Sequence, residues 1–188
     1  MRFRLAGSVA LLSLLCACGY TLQTSKSPLV EKEGIRRIYV SPLINNTYKV
    51  GVENVVYNAV LRKLAQHKMV RIVPSADEAD AVLIGTVTTA LYRESGRTSI
   101  PSRGTIASQY TATLAVAFDL RRHREQPGRR SRIWTGTVAR SGNFASAVQQ
   151  GVRGETTALI NESEFERMLA DLAWGMMSEV HESMLAMF

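Results

Sequence analysis

Three histidines and a short acidic cluster are the side chains of this sequence best suited to acid–base or metal chemistry. His67, His123 and His181 fall on a predicted helix end, a loop and a helix, and none has a second ligand at a metal-binding spacing such as i, i+4. The acidic cluster, residues 77–80, falls in a predicted turn, where carboxylates are well solvated. We therefore interpret the histidines as surface residues and the cluster as turn chemistry. No Gly-x-Ser-x-Gly elbow or phosphate-cradling glycine loop is present, so we expect no metal site, no catalytic residue and no enzyme.

Arginine is the other residue type whose placement could do chemistry, because its planar guanidinium forms bidentate, charge-assisted hydrogen bonds with phosphate oxygens. One group flanks a predicted hairpin turn and consists of Arg121, Arg122, Arg124, Arg129, Arg130 and Arg132. It is consistent with a solvated tip or with a phosphate or membrane-surface site. A second group consists of Arg93, Arg97 and Arg103 in a predicted loop, and Arg153 before the last helix. These four are consistent with phosphate ligands or with ordinary loop arginines.

The N-terminus has the layout of a secretory signal. Arg2 and Arg4 form a short positive region, and residues 5–15 form an uncharged apolar run. A run of about a dozen residues is too short to cross a hydrocarbon core about 30 Å thick, which needs about 20 helical residues. The segment is therefore predicted to be removed and not to serve as a permanent anchor.

Both cysteines lie at the end of this signal, and their context differs. Leu15-Cys16-Ala17-Cys18-Gly19 resembles the lipobox of bacterial lipoproteins, with cleavage after Ala17 and lipid on Cys18. Cys16 follows the bulky Leu15 and is lost with signal residues 1–17, so no disulfide can form. The alternative is an ordinary signal peptide with incidental cysteines. By analogy with lipoprotein sorting, Gly19 favours the outer membrane, and the lipid on Cys18 is the only bound group that we expect.

Charge and length limit what the exported part can be. The chain of 188 residues has a formal net charge of +7, and loss of the two signal arginines leaves +5. Outside the cytoplasm such a charge meets anionic headgroups, phosphorylated glycolipid and envelope proteins, so nucleic acid is not an expected partner. The mature chain of about 170 residues can bury the core of one domain.

Hydrophobic periodicity predicts the elements that must position the arginines. A polar tether over 18–34 precedes a single domain over 35–188. Its predicted elements are strand 38–40, helix 51–64, strand 69–73, strand 81–92, loop 94–108, strand 110–120, strand 133–140 and a helix from about 155 onward. The predicted fold class is α+β, in the order β-α-β-β-β-α, with two helices packed on one face of a mixed, largely antiparallel sheet.

Two of these elements carry strong patterns. Strand 110–120 alternates strictly, which places Tyr110, Ala112, Leu114, Val116, Phe118 and Leu120 on the core face. The last helix has an apolar stripe of Leu159, Phe165, Met168, Leu169, Leu172, Met176, Val180 and Leu185. Trp134 is assigned to the core, and Trp174 to the core or to a helix-covering contact.

The order of motifs resembles the LptE family of lipopolysaccharide-assembly lipoproteins. The matching residues are Cys18-Gly19-Tyr20, Ile38-Tyr39-Val40-Ser41-Pro42-Leu43 with Asn46-Thr47, Ala79-Asp80-Ala81-Val82-Leu83 with Gly85-Thr86-Val87, Tyr110, and Ile133-Trp134-Thr135-Gly136. The similarity covers nearly the whole mature chain. It departs at the arginine-rich turn 121–132 and at the extended 94–108 loop.

The resemblance implies a palmitate-bearing lipoprotein on the periplasmic face of the outer membrane. It would act as plug and assembly partner of a large LptD-like β-barrel that inserts lipopolysaccharide. The resemblance also implies that Arg93, Arg97, Arg103 and Arg153 are the candidate lipopolysaccharide ligands. The alternative is a general lipoprotein adaptor of another envelope complex, such as a cell-wall synthase activator or a secretion scaffold, and a periplasmic enzyme is a weaker rival.

Overall fold

The computed structural model describes residues 27–66, 69–101, 104–124, 127–148 and 156–186. Its elements, in chain order, are α1 Pro28–Glu31, β1 Arg37–Val40, β2 Ile44–Asn45, α2 Val52–Ala65, β3 Arg71–Ile72, a 3-10 turn Ala76–Glu78, β4 Ala81–Ile100, β5 Gly104–Arg122, β6 Arg132–Ala145 and α3 Thr156–Ala186. Four strands, β3 to β6, follow one another with no α-helix between them, and the longest helix comes after them.

One mixed sheet of six strands organises the fold. Its order is β3-β1-β4-β5-β6, and β2 also pairs with β4. The pairs among β1, β2, β3 and β4 are parallel, whereas β4, β5 and β6 form a long antiparallel meander. The predicted fold class is therefore confirmed, with α1, β2 and a fourth strand after α2 as additions to the predicted order.

Helices α2 and α3 cover one face of the sheet. The alternating residues of β5, from Ala112 to Leu120, are buried on that face, as their period predicts. Packing is close enough that β4 needs a glycine there, because a Cβ on Gly85 would stand 2.8 Å from Leu43 Cγ. Trp134 is buried, and its ring lies over Gly136, where a Cβ would come 2.5 Å from Trp134 Cζ2.

The predicted loop over 94–108 is wrong. Described residues of this segment belong to β4 and β5, which pair from Glu94 opposite Tyr110 out to Ile100 opposite Gly104. The polar composition of this segment predicts little burial, and most of its described residues are indeed exposed. A two-stranded ribbon, however, satisfies its backbone groups within the hairpin and needs little burial. Gly104 supports the turn with a φ of 73°.

Two side-chain assignments on α3 also need correction. His181 is not a surface residue, since only 7% of it is exposed. Leu159 is 71% exposed, although its position in the stripe predicts a core residue. Trp174 is 41% exposed, which agrees with a helix-covering contact and not with the core. The helix packs on β6 and β5 on one side and on α2 and α1 on another, so its buried surface is wider than one stripe and includes His181. Leu159 lies in the first turns, outside that contact, and Trp174 is covered by the Arg62 guanidinium, 5.7 Å from the ring centroid.

The packed part of the chain begins before Ile35. Leu29 of α1 is fully buried, and the Ser27 hydroxyl lies 3.5 Å from the Leu185 carbonyl oxygen that can accept its hydrogen bond. Residues 28–34, predicted as tether, thus belong to the folded body. Among the helices that the structure describes, none combines the length and the apolar character needed to cross a membrane. Cys18 and the signal segment lie outside the described residues.

Candidate functional site

The two arginine groups are held at opposite ends of β5. This strand runs from Gly104 to Arg122, so its 19 residues span about 60 Å. Arg93 and Arg97 lie on β4 opposite Thr111 and Ala107, about 36 and 50 Å along β5 from Arg122. The arginines of the 121–132 turn lie at the other end. The structure therefore offers two separate basic surfaces, too far apart to form one site.

At the ribbon end, Arg93 and Arg97 are both exposed on β4. Arg93 stands opposite Thr111, on the sheet face that faces away from the helices. Arg97 donates from Nε to Glu94 Oε1 at 2.8 Å, and this hydrogen bond together with the Glu94 charge raises the pKa of Arg97. Arg103 and Arg153, predicted as part of the same site, lie outside the described residues.

An aromatic cluster fixes the base of the ribbon. Tyr92 contacts three rings, those of Tyr110, Phe144 and Phe165, with centroid distances of 5.2, 5.6 and 4.8 Å. These residues come from β4, β5, β6 and α3. Arg93 directly follows Tyr92, so its backbone is held in place by packing across four elements. Burial, followed by the charge of Glu162, raises the pKa of Tyr92, which stays neutral at physiological pH.

Lys49 fastens the loop before α2 to the last helix. Its Nζ lies 2.5 Å from Glu162 Oε1 and 2.7 Å from Glu166 Oε1, and 5.8 Å from the centroid of the Phe165 ring. Burial alone would lower the pKa of Lys49, but the hydrogen bonds and charges of the two glutamates raise it. The ammonium is therefore charged at neutral pH. Tyr48, which precedes Lys49 in this loop, is fully exposed to solvent.

At the opposite end, a buried ion pair joins β5 to the segment after α1. The Arg122 side chain is only 4% exposed, and its Nη2 lies 2.5 Å from Glu33 Oε2 while Nη1 donates to the Glu33 carbonyl oxygen at 3.2 Å. Arg129 adds hydrogen bonds to the carbonyl oxygens of Lys32, at 3.2 Å, and Glu33, at 3.1 Å. The arginine-rich turn is therefore tied to the segment where the chain enters the fold.

We call the exposed surface around this ion pair the basic end. It consists of Lys32, Arg121, Arg124, Arg129, Arg130 and Arg132. Asp119 lies among these residues and accepts hydrogen bonds from Arg121 Nε at 2.8 Å and Arg132 Nε at 3.1 Å. Lys32, Arg124 and Arg130 make no ion pair within the described part of the chain. The surface thus keeps an excess of uncompensated positive charge.

The acidic cluster at 77–80 has a structural role that its turn position did not reveal. Asp80 Oδ2 accepts the backbone N–H groups of Arg36 and Arg37, at 3.0 and 2.9 Å, and its Oδ1 accepts from Arg37 Nη2 at 2.8 Å. Burial raises the pKa of Asp80, but these hydrogen bonds and the Arg37 charge outweigh it and lower the pKa. Asp77 Oδ1 lies 3.9 Å from His123 Nε2. No group of three potential metal ligands occurs within ranges 27–66, 69–101, 104–124, 127–148 and 156–186.

Chemically, both ends can bind phosphate groups through guanidinium hydrogen bonds. A comparison with known protein families distinguishes a phosphate-binding role from the general behaviour of a basic protein. Residues 35–180 match the family LptE, described as lipopolysaccharide-assembly. The chain belongs to the LptE family. The resemblance predicted from the motif order is thereby confirmed, and the match covers β1 to most of α3.

Several solved structures are similar to this LptE-family protein at low sequence identity. The hypothetical protein CT253 from Chlamydia trachomatis is 9% identical, with a TM-score of 0.51 over 80% of this chain and 98% of that chain. Lipoprotein B from Nitrosomonas europaea is 13% identical, with a TM-score of 0.47 over 90% and 92%. Rare lipoprotein B from Shewanella oneidensis is 17% identical, with a TM-score of 0.45 over 79% and 95%. No curated protein sequence matches the chain.

Sequence reasoning missed the elements that hold the ribbon arginines. Lys49 sits in a polar turn, and its glutamate partners lie more than 110 residues away, so no local pattern links them. The aromatic cluster left a weak signal, because Tyr92 and Tyr110 each fall on a separate predicted strand, while Phe144 lies beyond the predicted strand 133–140. Assigning 94–108 to a loop hid the pairing that brings them together.

Proposed function

We propose that this LptE-family protein is an outer-membrane lipoprotein, anchored by lipid on Cys18 and facing the periplasm. It serves as plug and assembly partner of a large LptD-like β-barrel that inserts lipopolysaccharide. The observation that carries this proposal is the family match over residues 35–180. It has no chemistry of its own, and its work is binding and positioning.

The ribbon arginines are the proposed contact with lipopolysaccharide phosphates. Arg93 is exposed and its backbone is fixed by the aromatic cluster, so the side chain can meet an anionic ligand without reordering the strand. Arg97 is exposed as well but shares its guanidinium with Glu94. Arg103 and Arg153 complete the proposed set on sequence grounds.

The anchor and the partner are tested together. Cys18→Ala should abolish incorporation of labelled palmitate and move the protein out of the membrane fraction, because the lipid is its hold on the bilayer. The unaltered protein, extracted in mild detergent, should co-purify with a large β-barrel identified by mass spectrometry. If the variant incorporates as much palmitate as the unaltered protein, the proposed lipid anchor on Cys18 is refuted. If the unaltered protein co-purifies with a different envelope complex, the adaptor role replaces the proposed function.

Lipopolysaccharide binding has its own assay with the purified mature chain. Reversing Arg93, Arg97, Arg103 and Arg153 to glutamate should weaken binding and leave the melting temperature nearly unchanged, since exposed residues contribute at most about 0.5 kcal/mol. Binding should also weaken with salt, as the Debye length falls from about 10 Å at 0.1 M to about 3 Å at 1 M. The matched control reverses four residues of the basic end: Arg121, Arg124, Arg130 and Arg132. Loss of binding in the control alone would move the glycolipid site to that end.

A further inference from the structure

The basic end lies where the chain enters the fold. Ser27, the first described residue, lies 3.5 Å from the Leu185 carbonyl oxygen near the end of α3. Five residues later, the Lys32 carbonyl oxygen accepts a hydrogen bond from Arg129 Nη1 at 3.2 Å. The entry point and the arginine-rich turn therefore belong to one end of the molecule.

Chain length sets how far this end can stand from the anchor. Cys18 precedes Ser27 by nine residues, which span at most about 30 Å when fully extended. The β4–β5 ribbon lies at the other end of β5, about 60 Å away. A lipid on Cys18 thus keeps the basic end within reach of the bilayer surface, nearer to it than the ribbon.

The chemistry of the basic end suits a headgroup layer better than a protein partner. Protein interfaces are dominated by a few buried aromatic or arginine anchors packed in apolar surroundings. The exposed large apolar side chains of the described chain lie elsewhere: Ile44, Tyr48, Val50, Leu91, Leu159 and Trp174. The basic end offers dispersed cations instead, three of them without an ion pair in the described structure.

The cavity beside the basic end does not compete for this role. Its volume is about 570 Å³, and its lining holds the carboxylates Glu33, Asp77 and Asp80 together with Arg37, Arg122, Arg124 and Arg129. Arg37 and Arg122 are already bound to the carboxylates of Asp80 and Glu33 respectively. Lys32 and Arg130 lie outside this lining and Arg124 is exposed, so their uncompensated charge faces solvent.

We propose that the basic end docks on anionic phospholipid headgroups of the leaflet that holds the Cys18 lipid. This inference rests on the proposed lipoprotein anchor. Lipid and polybasic surface then act as two membrane signals on one end of the molecule, and together they hold that end at the headgroup layer. Arginine forks and the Lys32 ammonium bind the headgroup phosphates.

The test removes the lipid so that only the protein surface can bind. The chain from residue 18 onward, carrying Cys18→Ala, contains every described residue and is mixed with vesicles of phosphatidylcholine alone or with added phosphatidylglycerol. Flotation should show binding to the phosphatidylglycerol vesicles and little to the neutral ones. Each basic residue near such a surface contributes about fivefold to the partition coefficient. The triple variant Lys32→Gln, Arg124→Gln, Arg130→Gln should therefore lose about a hundredfold.

A matched control removes the same charge elsewhere. Arg62→Gln, Arg140→Gln, Arg167→Gln should change the partition coefficient by about twofold or less, because these residues lie away from the basic end, beyond the Debye length of about 10 Å from the bound membrane. Equal losses in both triple variants, or equal binding to neutral and anionic vesicles, would overturn the docking surface. Circular dichroism melts of both variants separate a binding defect from unfolding.

Failure of this inference can be told from failure of the proposed function. If the unaltered protein carries palmitate and brings down a β-barrel, while its lipid-free chain ignores phosphatidylglycerol, only the docking surface is refuted. If the lipid-free chain binds phosphatidylglycerol through the basic end but the unaltered protein takes up no palmitate, the anchor is refuted and the anionic-membrane surface stands.

Discussion

Removing the carboxylate of Glu33 should leave the buried Arg122 guanidinium without a charged partner. The Arg122 side chain is 4% exposed and the Glu33 side chain 27% exposed, so Glu33→Ala leaves a guanidinium with little access to water. Breaking a buried pair from one side costs about 3–5 kcal/mol. The Glu33 carbonyl oxygen still accepts from Arg122 Nη1 after the substitution, so we expect the lower figure, about 3 kcal/mol.

Thermal and urea unfolding followed by circular dichroism would measure this loss. For a domain of this size about 3 kcal/mol lowers the melting temperature by about 6–12 °C. Glu179→Ala is the matched control, because its pair with Arg140 is exposed on both sides and should contribute at most about 1 kcal/mol. Adding Arg122→Met to Glu33→Ala should restore much of the stability, since an apolar side chain then fills the site. Equal melting temperatures for the two Glu→Ala variants would refute the burial of this pair.

Two further predictions concern the sheet and the acidic turn. Val116→Asp should unfold the protein or cost more than about 4 kcal/mol, whereas Thr113→Asp, whose hydroxyl meets Ser141 Oγ at 2.9 Å on the outer face, should cost about 1 kcal/mol. Similar urea midpoints for these two variants would contradict the assigned core face. Asp80→Asn should cost about 1.5–3 kcal/mol at neutral pH, because it weakens hydrogen bonds to a carboxylate. The folded pKa of Asp80 is lowered, so its stabilisation exists above the unfolded pKa of about 3.9 and is lost as pH falls through the folded pKa. Unfolding free energies of wild type and variant should therefore converge in acid, and a constant gap down to acidic pH would contradict this linkage.

Periodicity predicted the elements that have a single buried face. Apolar and polar residues alternate along β5 because helices cover only one face of the sheet. Every second residue therefore marks the buried face. For helix α3 periodicity predicts burial less well, because contacts on two sides bury residues such as His181 outside the main apolar stripe. Periodicity does not predict the β4–β5 ribbon. Backbone pairing forms this ribbon, and such pairing leaves no pattern in the hydrophobic composition. Short β2 and β3, of two residues each, are held by parallel neighbours far along the chain, and no local pattern encodes that pairing.

The candidate sites were predictable in residue type but not in arrangement. Arginine clusters can be seen in the sequence, and the family resemblance ranked the second group, Arg93, Arg97, Arg103 and Arg153, above the arginine-rich turn. Long-range contacts decide the rest. The pair of Glu33 with Arg122 joins residues 89 apart in the chain, and only the fold shows that the turn adjoins the entry of the chain.

The meeting of Ser27 with Leu185 bears on how this protein can be labelled. A bulky label attached near Leu185, at the end of α3, would stand beside Ser27 and crowd the place where the described chain begins. A short epitope there would leave the ribbon unobstructed. Fluorophores for reporting ligand arrival are better placed on the ribbon itself, for example at Ser95, which is exposed and lies between Arg93 and Arg97 in the chain.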